Sequence, residues 1–509
     1  MLPMLNVVSK NSKKYTVSFR GINYGEEYMD GEFSETKNVS TEKFPCVSPR
    51  FAREEVGTYT APTSLHTKDG LVVIDGTSVI YNGTVVGSVK AGRKQMATVG
   101  NYVIIFPDKV YYNVDTKEFA SMEPTVSASG LVFTDTTITT TGDDFPFRVG
   151  DAITISGCSV HPENNKTLEQ AIIIRGVDGK VLTFYENSFT AGTETGTVTL
   201  KRDVPDLDFL CESNYRLWGT HGNTIYSSKF MDPLNFNSFD ASVADSYAIS
   251  VGSDGEFTGC IPFSSHICFF KENTLHKLYG SKPSNFQIVT SQVYGVQAGS
   301  ERSICVINET LFYKGVSGVY AYTGGVPELV SSKLGVRKYS DACAATDGSR
   351  YYISMKEGNT WHVYVYDVQR NLWVHEDNTH CVDMTFHDGY VYFLTADGQL
   401  LKVDSNADRS NIEWSVTFCP FNEVINERKG YSKFHMRLEL AAGSSLKVEL
   451  KRNVDDDWKQ IYAMQNEKSR TLSIPVIPAR CDSAEIRVSG KGDGLLRTFI
   501  REFFTGSDV

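Results

Sequence analysis

The sequence predicts an all-β chain: a seven-bladed β-propeller with an inserted small β-barrel or sandwich domain, an extended N-terminal arm and a C-terminal β-sandwich. Three observations carry that prediction. A unit of short apolar strand, Gly/Asn/Asp turn and second apolar strand recurs at about 35–45 residues, the period of a propeller blade. The strands alternate at period two and are too short and too regularly punctuated for a βαβ alternation. Aromatics make up 12% of the chain, with 29 Phe and 26 Tyr beside 41 Gly, a balance that suits β-structure better than helix.

At 509 residues the chain is too long for one core and divides into parts. Residues 1–65 hold Pro, Gly and polar residues with few periodic runs. They read as an extended arm, costly to order alone and therefore expected to lie on another subunit. Residues 66–124 and 206–406 carry the propeller. Its seven candidate blades lie near 66–90, 94–124, 208–240, 253–292, 299–335, 338–378 and 379–406. The sixth contains VYVYDVQRNLWV, an aromatic strand, Asp367, a turn and Trp373, which resembles a kelch-type blade. Residues 125–205 interrupt the series with strands of their own (VGDAITISGC, EQAIIIRGVDGKVLTFYE, TGTVTLKR) and read as a domain inserted in a surface loop. After the polar linker SNADRSN, the runs HMRLEL and LKVEL alternate apolar with charged residues, as a sandwich with one wet face does. Residues 408–509 form that separate domain.

The formal charge of −11 argues against a surface built to grip phosphates, though not against a wall past which DNA slides. The ten cysteines are scattered singly with no CxxC pair, and several sit inside apolar runs (Cys268 in HICFF, Cys305 in SICVI). They read as buried free thiols of a protein assembled under reducing conditions, with no structural zinc. No signal-peptide pattern and no run of ~18 apolar residues is present, so a soluble protein without membrane insertion is expected.

No motif for catalysis, cofactor or metal stands out. HExxH, a P-loop, a GxSxG elbow and a GxGxxG after a strand are all missing, so catalytic, cofactor-binding and metal residues are each expected to be none. SVGSDGEF at 250–257 lacks the full pattern of a sialidase Asp-box and reads as a hairpin turn. Asp455-Asp456-Asp457 reads as a solvated loop tip, since three adjacent carboxylates cannot all converge on one ion. The sites at Asn38, Asn82, Asn165 and Asn308 carry a glycosylation pattern whose use depends on compartment.

One stretch asks for more. NYRLWGTHGNTIYSSKFMDPLNFNSF, residues 214–239, begins as a hairpin and then spends Phe230, Leu234, Phe236 and Phe239 around an Asp232-Pro233 break. These side chains are read as wedged against a neighbouring blade, and Trp218 as buried between blades, rather than offered as a sugar-stacking platform.

Three segments, in order, resemble the tail hub or nozzle proteins of tailed bacteriophages, the group called stabilization proteins. They are the arm SFRGINYGEEYMDGEFSETKNVSTEKFPCVSPRFAR, the stretch VPDLDFLCESNYRLWGTHGNTIYSSKFMDPLNFNSF, and the ending RCDSAEIRVSGKGDGLLRTFIREFFTGSDV with its Gly506-Ser507-Asp508. The inserted 125–205 segment departs from the simplest members. The resemblance implies a noncatalytic virion protein, assembled in the bacterial cytoplasm and resident in the tail. It implies a ring of copies, commonly sixfold, below the portal and adaptor proteins of the head-to-tail connector. Such a ring surrounds the channel for genomic DNA, without sequence-specific binding, and docks tail fibres or spikes. The alternative from the aromatic-rich hairpins is a carbohydrate-binding or glycosidase-like propeller acting on host surface glycans. Paired acids for hydrolysis, roughly 5–10 Å apart, cannot be recognised from sequence.

Overall fold

The structure is a computed structural model that describes residues 10–239, 242–421, 423, 428–465 and 469–505. Gly506-Ser507-Asp508 and the first nine residues lie outside them. The described residues form strands and five single-turn 3-10 segments, with no α-helix and hence no helix long and apolar enough to cross a membrane. The chain divides into two compact units, residues 60–301 and residues 1–59 with 302–509.

The unit 60–301 contains four antiparallel sheets of four strands, each a meander in chain order, at 62–88, 95–121, 209–250 and 257–291. The buried second strands explain them. Leu71–Asp75 (LVVID), Tyr102–Phe106 (YVIIF), Arg216–His221 (RLWGTH) and His266–Lys271 (HICFFK) are nearly continuous apolar runs covered on both faces. Their hairpins turn at positive φ: Asn82-Gly83 between the third and fourth strands of the first sheet, Asn214-Tyr215 between the first two strands of the third.

Between the second and third sheets lies the insert. One sheet joins Thr125–Ser129, Thr197–Lys201, Ala152–Ser156 and Ile172–Ile173; a second holds five short strands between 132 and 193. Leu131, Phe133, Ile153, Phe184 and Leu200 are among its own buried core. A buried ion pair, Arg202 with Asp151 at 2.7 Å, and the bond from Arg202 Nε to the Met122 carbonyl (3.0 Å) tie the insert to the end of the second sheet.

The other unit holds three further four-stranded sheets, at 305–329, 339–377 and 381–404, the last completed by Ala52–Thr58. In the second of these, Tyr366 stacks on Trp373 (4.7 Å between ring centroids) while the Asp367 carboxylate accepts from the Arg370 amide and from Thr41. The rest of this unit is a sandwich of two five-stranded sheets. One pairs Lys10–Thr16, Gly494–Thr505, Lys429–Leu440 and Ser469–Pro475, with Arg480–Cys481 also on Lys429–Leu440. The other runs Phe33–Lys37, Glu413–Phe418, Ala484–Lys491, Ser445–Arg452 and Lys459–Gln465. Phe418, Phe434 and Phe499 stack between them.

Two expectations need amending. The arm is extended, and residues 10–58 carry strands that pair within their own chain. Lys10–Thr16 and Phe33–Lys37 add an edge strand to each sandwich sheet, and Ala52–Thr58 pairs with Gln399–Asp404. The first blade-like sheet also begins at Pro62, inside the segment read as arm. Lys10–Thr16 and Ala52–Thr58 are polar (KNSKKYT, AREEVGT), so their pairing rests on backbone hydrogen bonds that leave no apolar pattern.

Candidate functional site

The residues flagged in the sequence fall in different places. Asp455–Asp457 form an exposed turn between Ser445–Arg452 and Lys459–Gln465. In SVGSDGEF, Ser253 is structural: its hydroxyl meets His276 Nε2 (2.8 Å) and its carbonyl accepts from Lys271 Nζ (2.7 Å). Among the described residues no group of three or more His, Cys, Asp or Glu side chains is placed to hold a metal ion. All ten cysteines are free thiols, eight of them buried.

The stretch 214–239 divides in two. Leu234 and Phe236 are buried with Ile104, Phe106 and Leu217, against the second sheet, as expected. Phe230 and Phe239 are not: they are 40% and 63% exposed. The loop is held by polar bonds instead. The Arg216 guanidinium, 1% exposed, donates to the carbonyls of Ser228 (2.8 Å), Asp245 (2.5 Å) and Val243 (3.0 Å). The amides of Asn235 and Asn237 donate outward to Gly150 (2.6 Å) and Asp203 (2.7 Å), fixing the insert to the loop. The Asp232-Pro233 break therefore marks a clamp between the third sheet and the insert.

Between the third and fourth sheets, at the end where their first hairpins turn, lies a recess of about 210 Å3. One lip is Ser213-Asn214 from the turn after Phe209–Ser213. The other is Ser264-Ser265, which joins Phe257–Phe263 to His266–Lys271, and Gly280-Ser281 closes a third side. Asn214, Ser264, Ser265 and Ser281 are exposed. The inner wall is apolar and aromatic: Trp218, Ile267, Leu278 and Phe286. Trp218 is 1% exposed; its ring lies 5.2 Å from Phe286, edge to face, and its Nε1 donates to the Ser213 carbonyl at 3.2 Å. A few polar groups over an apolar wall is the usual anatomy of a small-molecule site.

Two titratable groups border the recess. His266 is buried against Tyr279, its Nε2 without a hydrogen bond. Burial, then repulsion from Lys277, pushes its pKa below the ordinary value, so the ring is neutral at pH 7. Arg216 makes no ion pair within 4 Å among the described residues and its Nε has no partner; desolvation lowers its pKa, opposed by the attraction of the buried Asp245 carboxylate, and its guanidinium lies over the Phe230 and Phe286 rings. No carboxylate lines the recess. No paired acid and base lines it; what the recess offers is shape, hydroxyl and amide groups and aromatic walls.

Beside the recess stands Tyr215, 61% exposed and edge to face with Phe230 (6.1 Å). Asn214 and Tyr215 both have positive φ (52° and 56°), the geometry of a two-residue hairpin turn whose second position favours glycine. Asn82-Gly83 and Asp388-Gly389 carry it, while the turn Asn308-Glu309 holds a glutamate there instead. A tyrosine there costs roughly 1–2 kcal/mol of backbone strain. The signal was present in the sequence as Asn-Tyr where Asn-Gly is expected, and sequence reasoning passed over it. The recess itself was not legible, because its lips come from two turns about fifty residues apart.

No protein-family model and no curated protein matches the chain. Among solved structures it is similar to Hsv2p of Kluyveromyces lactis (TM-score 0.31, 10% identity, covering 80% of this chain and 99% of that one). It is also similar to an exo-β-1,3-galactanase of Phanerochaete chrysosporium with galactose (TM-score 0.23, 9% identity, 56% and 92%). A putative exported protein of Bacteroides fragilis gives a TM-score of 0.23 at 10% identity, over 55% and 94%. Likeness at these scores carries no argument about fold or activity.

Proposed function

We propose that the seven four-stranded sheets close into one seven-bladed propeller, and that the chain is a noncatalytic structural subunit of a bacteriophage tail. Closure is supported by Ala52–Thr58. A strand from before the first sheet completes the last one, the arrangement that lets a ring of sheets end where it began. The tail reading is supported by the three segments that resemble tail hub or nozzle proteins. Two of them, the arm and the chain ending, meet in one sandwich, where Val47 of the arm bridges Leu496 of the ending. The partners on this reading are further copies in a ring, the connector above, fibres or spikes below, and DNA passing through unread. The test is negative-stain microscopy of the purified chain, alone and with connector protein. Closed rings, or rings formed only on the connector, are expected; dispersed monomers in both samples refute it.

A second reading, recognition of a surface glycan, is favoured by one observation: the recess between the third and fourth sheets, with free hydroxyl and amide groups at its lips and Trp218 and Phe286 in its wall.

A further inference from the structure

We infer that His362 and His375 form a two-imidazole site for a transition-metal dication, Cu2+ before Ni2+ or Zn2+; the inference is independent of both functional readings. The two rings stand on neighbouring antiparallel strands, Thr360–Asp367 and Leu372–Asp377. His375 is paired with Tyr364, whose side chain shares a face with that of His362. His362 Nδ1 lies 3.2 Å from His375 Nε2. With metal–nitrogen bonds of about 2.05 Å, an ion bound to both would make an N–metal–N angle of about 103°, between the square-planar and tetrahedral values.

The outer partners of the rings point the same way. The Thr36 carbonyl, 3.1 Å from His375 Nδ1, can only accept, so that nitrogen carries the hydrogen and Nε2 keeps its lone pair. On the other ring the Glu357 carboxylate lies 3.5 Å from His362 Nε2 and favours a hydrogen there, which leaves the lone pair on Nδ1. A neutral His362 with its hydrogen on Nδ1 would instead set an Nε2 lone pair against that carboxylate. Two lone pairs facing each other call for a positive centre between them. A carbonyl or carboxylate on the far nitrogen of each imidazole is also what orients histidine ligands and raises their basicity. A shared proton is the competing occupant, and the experiment separates the two.

The rings are held in place before any ion arrives. Tyr364 packs beside both, its ring centroid 5.8 Å from that of His362 and 5.1 Å from that of His375, and its hydroxyl meets that of Tyr339 at 3.0 Å. The His375 amide donates to Thr36 Oγ1 at 2.8 Å. The His362 side chain is 14% exposed, which gives an ion a way in. Arg337 repels a cation there, but it is paired with Glu357 at 3.2 Å and lies over the Tyr24 ring. Among the described residues no third His, Cys, Asp or Glu joins the pair, so water completes the coordination. Two imidazoles suit Cu2+, Ni2+ and Zn2+, with Cu2+ bound most tightly, whereas Mg2+ and Ca2+ take oxygen ligands.

The experiment uses the full chain, without an affinity tag and stripped of metal by a chelator. It is titrated calorimetrically with Cu2+, Ni2+, Zn2+ and Mg2+, and the Cu2+ sample is examined by electron paramagnetic resonance. Cu2+ is expected to bind most tightly, Mg2+ not at all, and the spectrum to show two nitrogen ligands. The melting temperature should rise with added Cu2+. His362→Gln should abolish the tight site and leave at most one nitrogen in the spectrum. Glu357→Ala, which keeps both histidines, should weaken Cu2+ binding by about tenfold. Melting without metal reports whether each variant folds, and Glu357→Ala carries the test if His362→Gln does not. Equal Cu2+ affinity in wild type and the folded variants overturns the site, as does a spectrum lacking two nitrogens. A wild type that binds no Cu2+, with nitrogen NMR showing His362 doubly protonated at neutral pH, gives the pair to a shared proton and overturns it as well.

Discussion

Trp218→Ala separates packing from display at the segment on which the sequence argument turned. The side chain is 1% exposed and shares a core with Phe257, Ile267 and Phe269 of the fourth sheet. Truncating a buried Trp costs about 3–5 kcal/mol, the spread reflecting how well the site relaxes. Two features of this site set the value within that range. The loss of edge-to-face contact with Phe286 removes about 0.5–1.5 kcal/mol beyond area alone. Against that, the indole borders the recess, so the new space opens to water and the freed Ser213 carbonyl is hydrated rather than orphaned. The expected loss is therefore about 3–4 kcal/mol, toward the lower end. Trp218→Phe, which keeps a ring against Phe286, should lose less than about 2 kcal/mol. The assay is urea unfolding of both variants, comparing midpoints at constant slope. A loss below about 0.5 kcal/mol for the alanine variant would refute the assignment of Trp218 to the core, and with it the inner wall of the recess.

Three other outcomes follow from particular contacts. Arg53, on the strand that completes the last sheet, is buried against Glu376 (2.5 Å) and Asp377 (2.8 Å) and lies over the Phe393 ring. Arg53→Ala leaves Glu376 without its cation and Asp377 with Arg50 alone, should cost about 3–5 kcal/mol, and should free 52–58 to proteolysis; a loss under 1 kcal/mol would contradict the clasp. His276 is held neutral, its pKa pushed down to about 4 by burial and then by Lys271. Between pH 6.5 and about 4 the unfolded chain takes the proton first, so stability present above pH 6.5 drains as pH falls through that window, by up to about 3 kcal/mol. Chemical denaturation in that range should show the decline, and His276→Gln should flatten part of it; an identical slope would show that the ring does not carry the effect. Deleting residues 1–50 should not leave an intact protein that merely fails to assemble. It strips an edge strand from each sandwich sheet and leaves Arg501 without Asp30 and Thr16, so hydrogen exchange should show 408–505 deprotected. Full protection of that region would refute the intramolecular role of the arm.

The sheets were legible because their second strands are apolar runs closed by turn residues at a regular period. LVVID, YVIIF and HICFF could be read as buried strands without knowing their neighbours. The insert and the sandwich announced themselves by breaks in that period. What escaped was of one kind. KNSKKYT and AREEVGT carry no apolar pattern, and each pairs with strands hundreds of residues away, Lys10 with Thr505 and Ala52 with Asp404. A strand that contributes backbone hydrogen bonds and charge, but no hydrophobic face, has no signature at period two. The candidate site escaped for a related reason. Its chemistry lies in turn residues (Asn214, Ser264, Ser281), which any single hairpin would carry for turn geometry alone, and only their approach across two sheets makes a site.

That division points to how the molecule is joined. At four places a segment is fixed to the body by a buried arginine. Arg53 holds the closing strand, Arg202 the base of the insert, Arg216 the loop 228–245, and Arg501 the first strand, through Thr16, Asp30 and Glu423 and with its guanidinium 4.0 Å from the centre of the Phe421 ring. The guanidinium suits this task because its planar fork can satisfy several carbonyl or carboxylate acceptors at fixed angles, and its flat face can lie on an aromatic ring. Lysine offers one point charge on a flexible stem and could not replace three directed bonds. Three of the four joints neutralise the cation with a carboxylate. Arg216 alone of these four takes its hydrogen bonds only to carbonyls, with the Asp245 carboxylate nearby rather than in contact. A structural joint of this kind is complete without an outside anion, because carbonyls satisfy its donors and the buried Asp245 carboxylate offsets its charge.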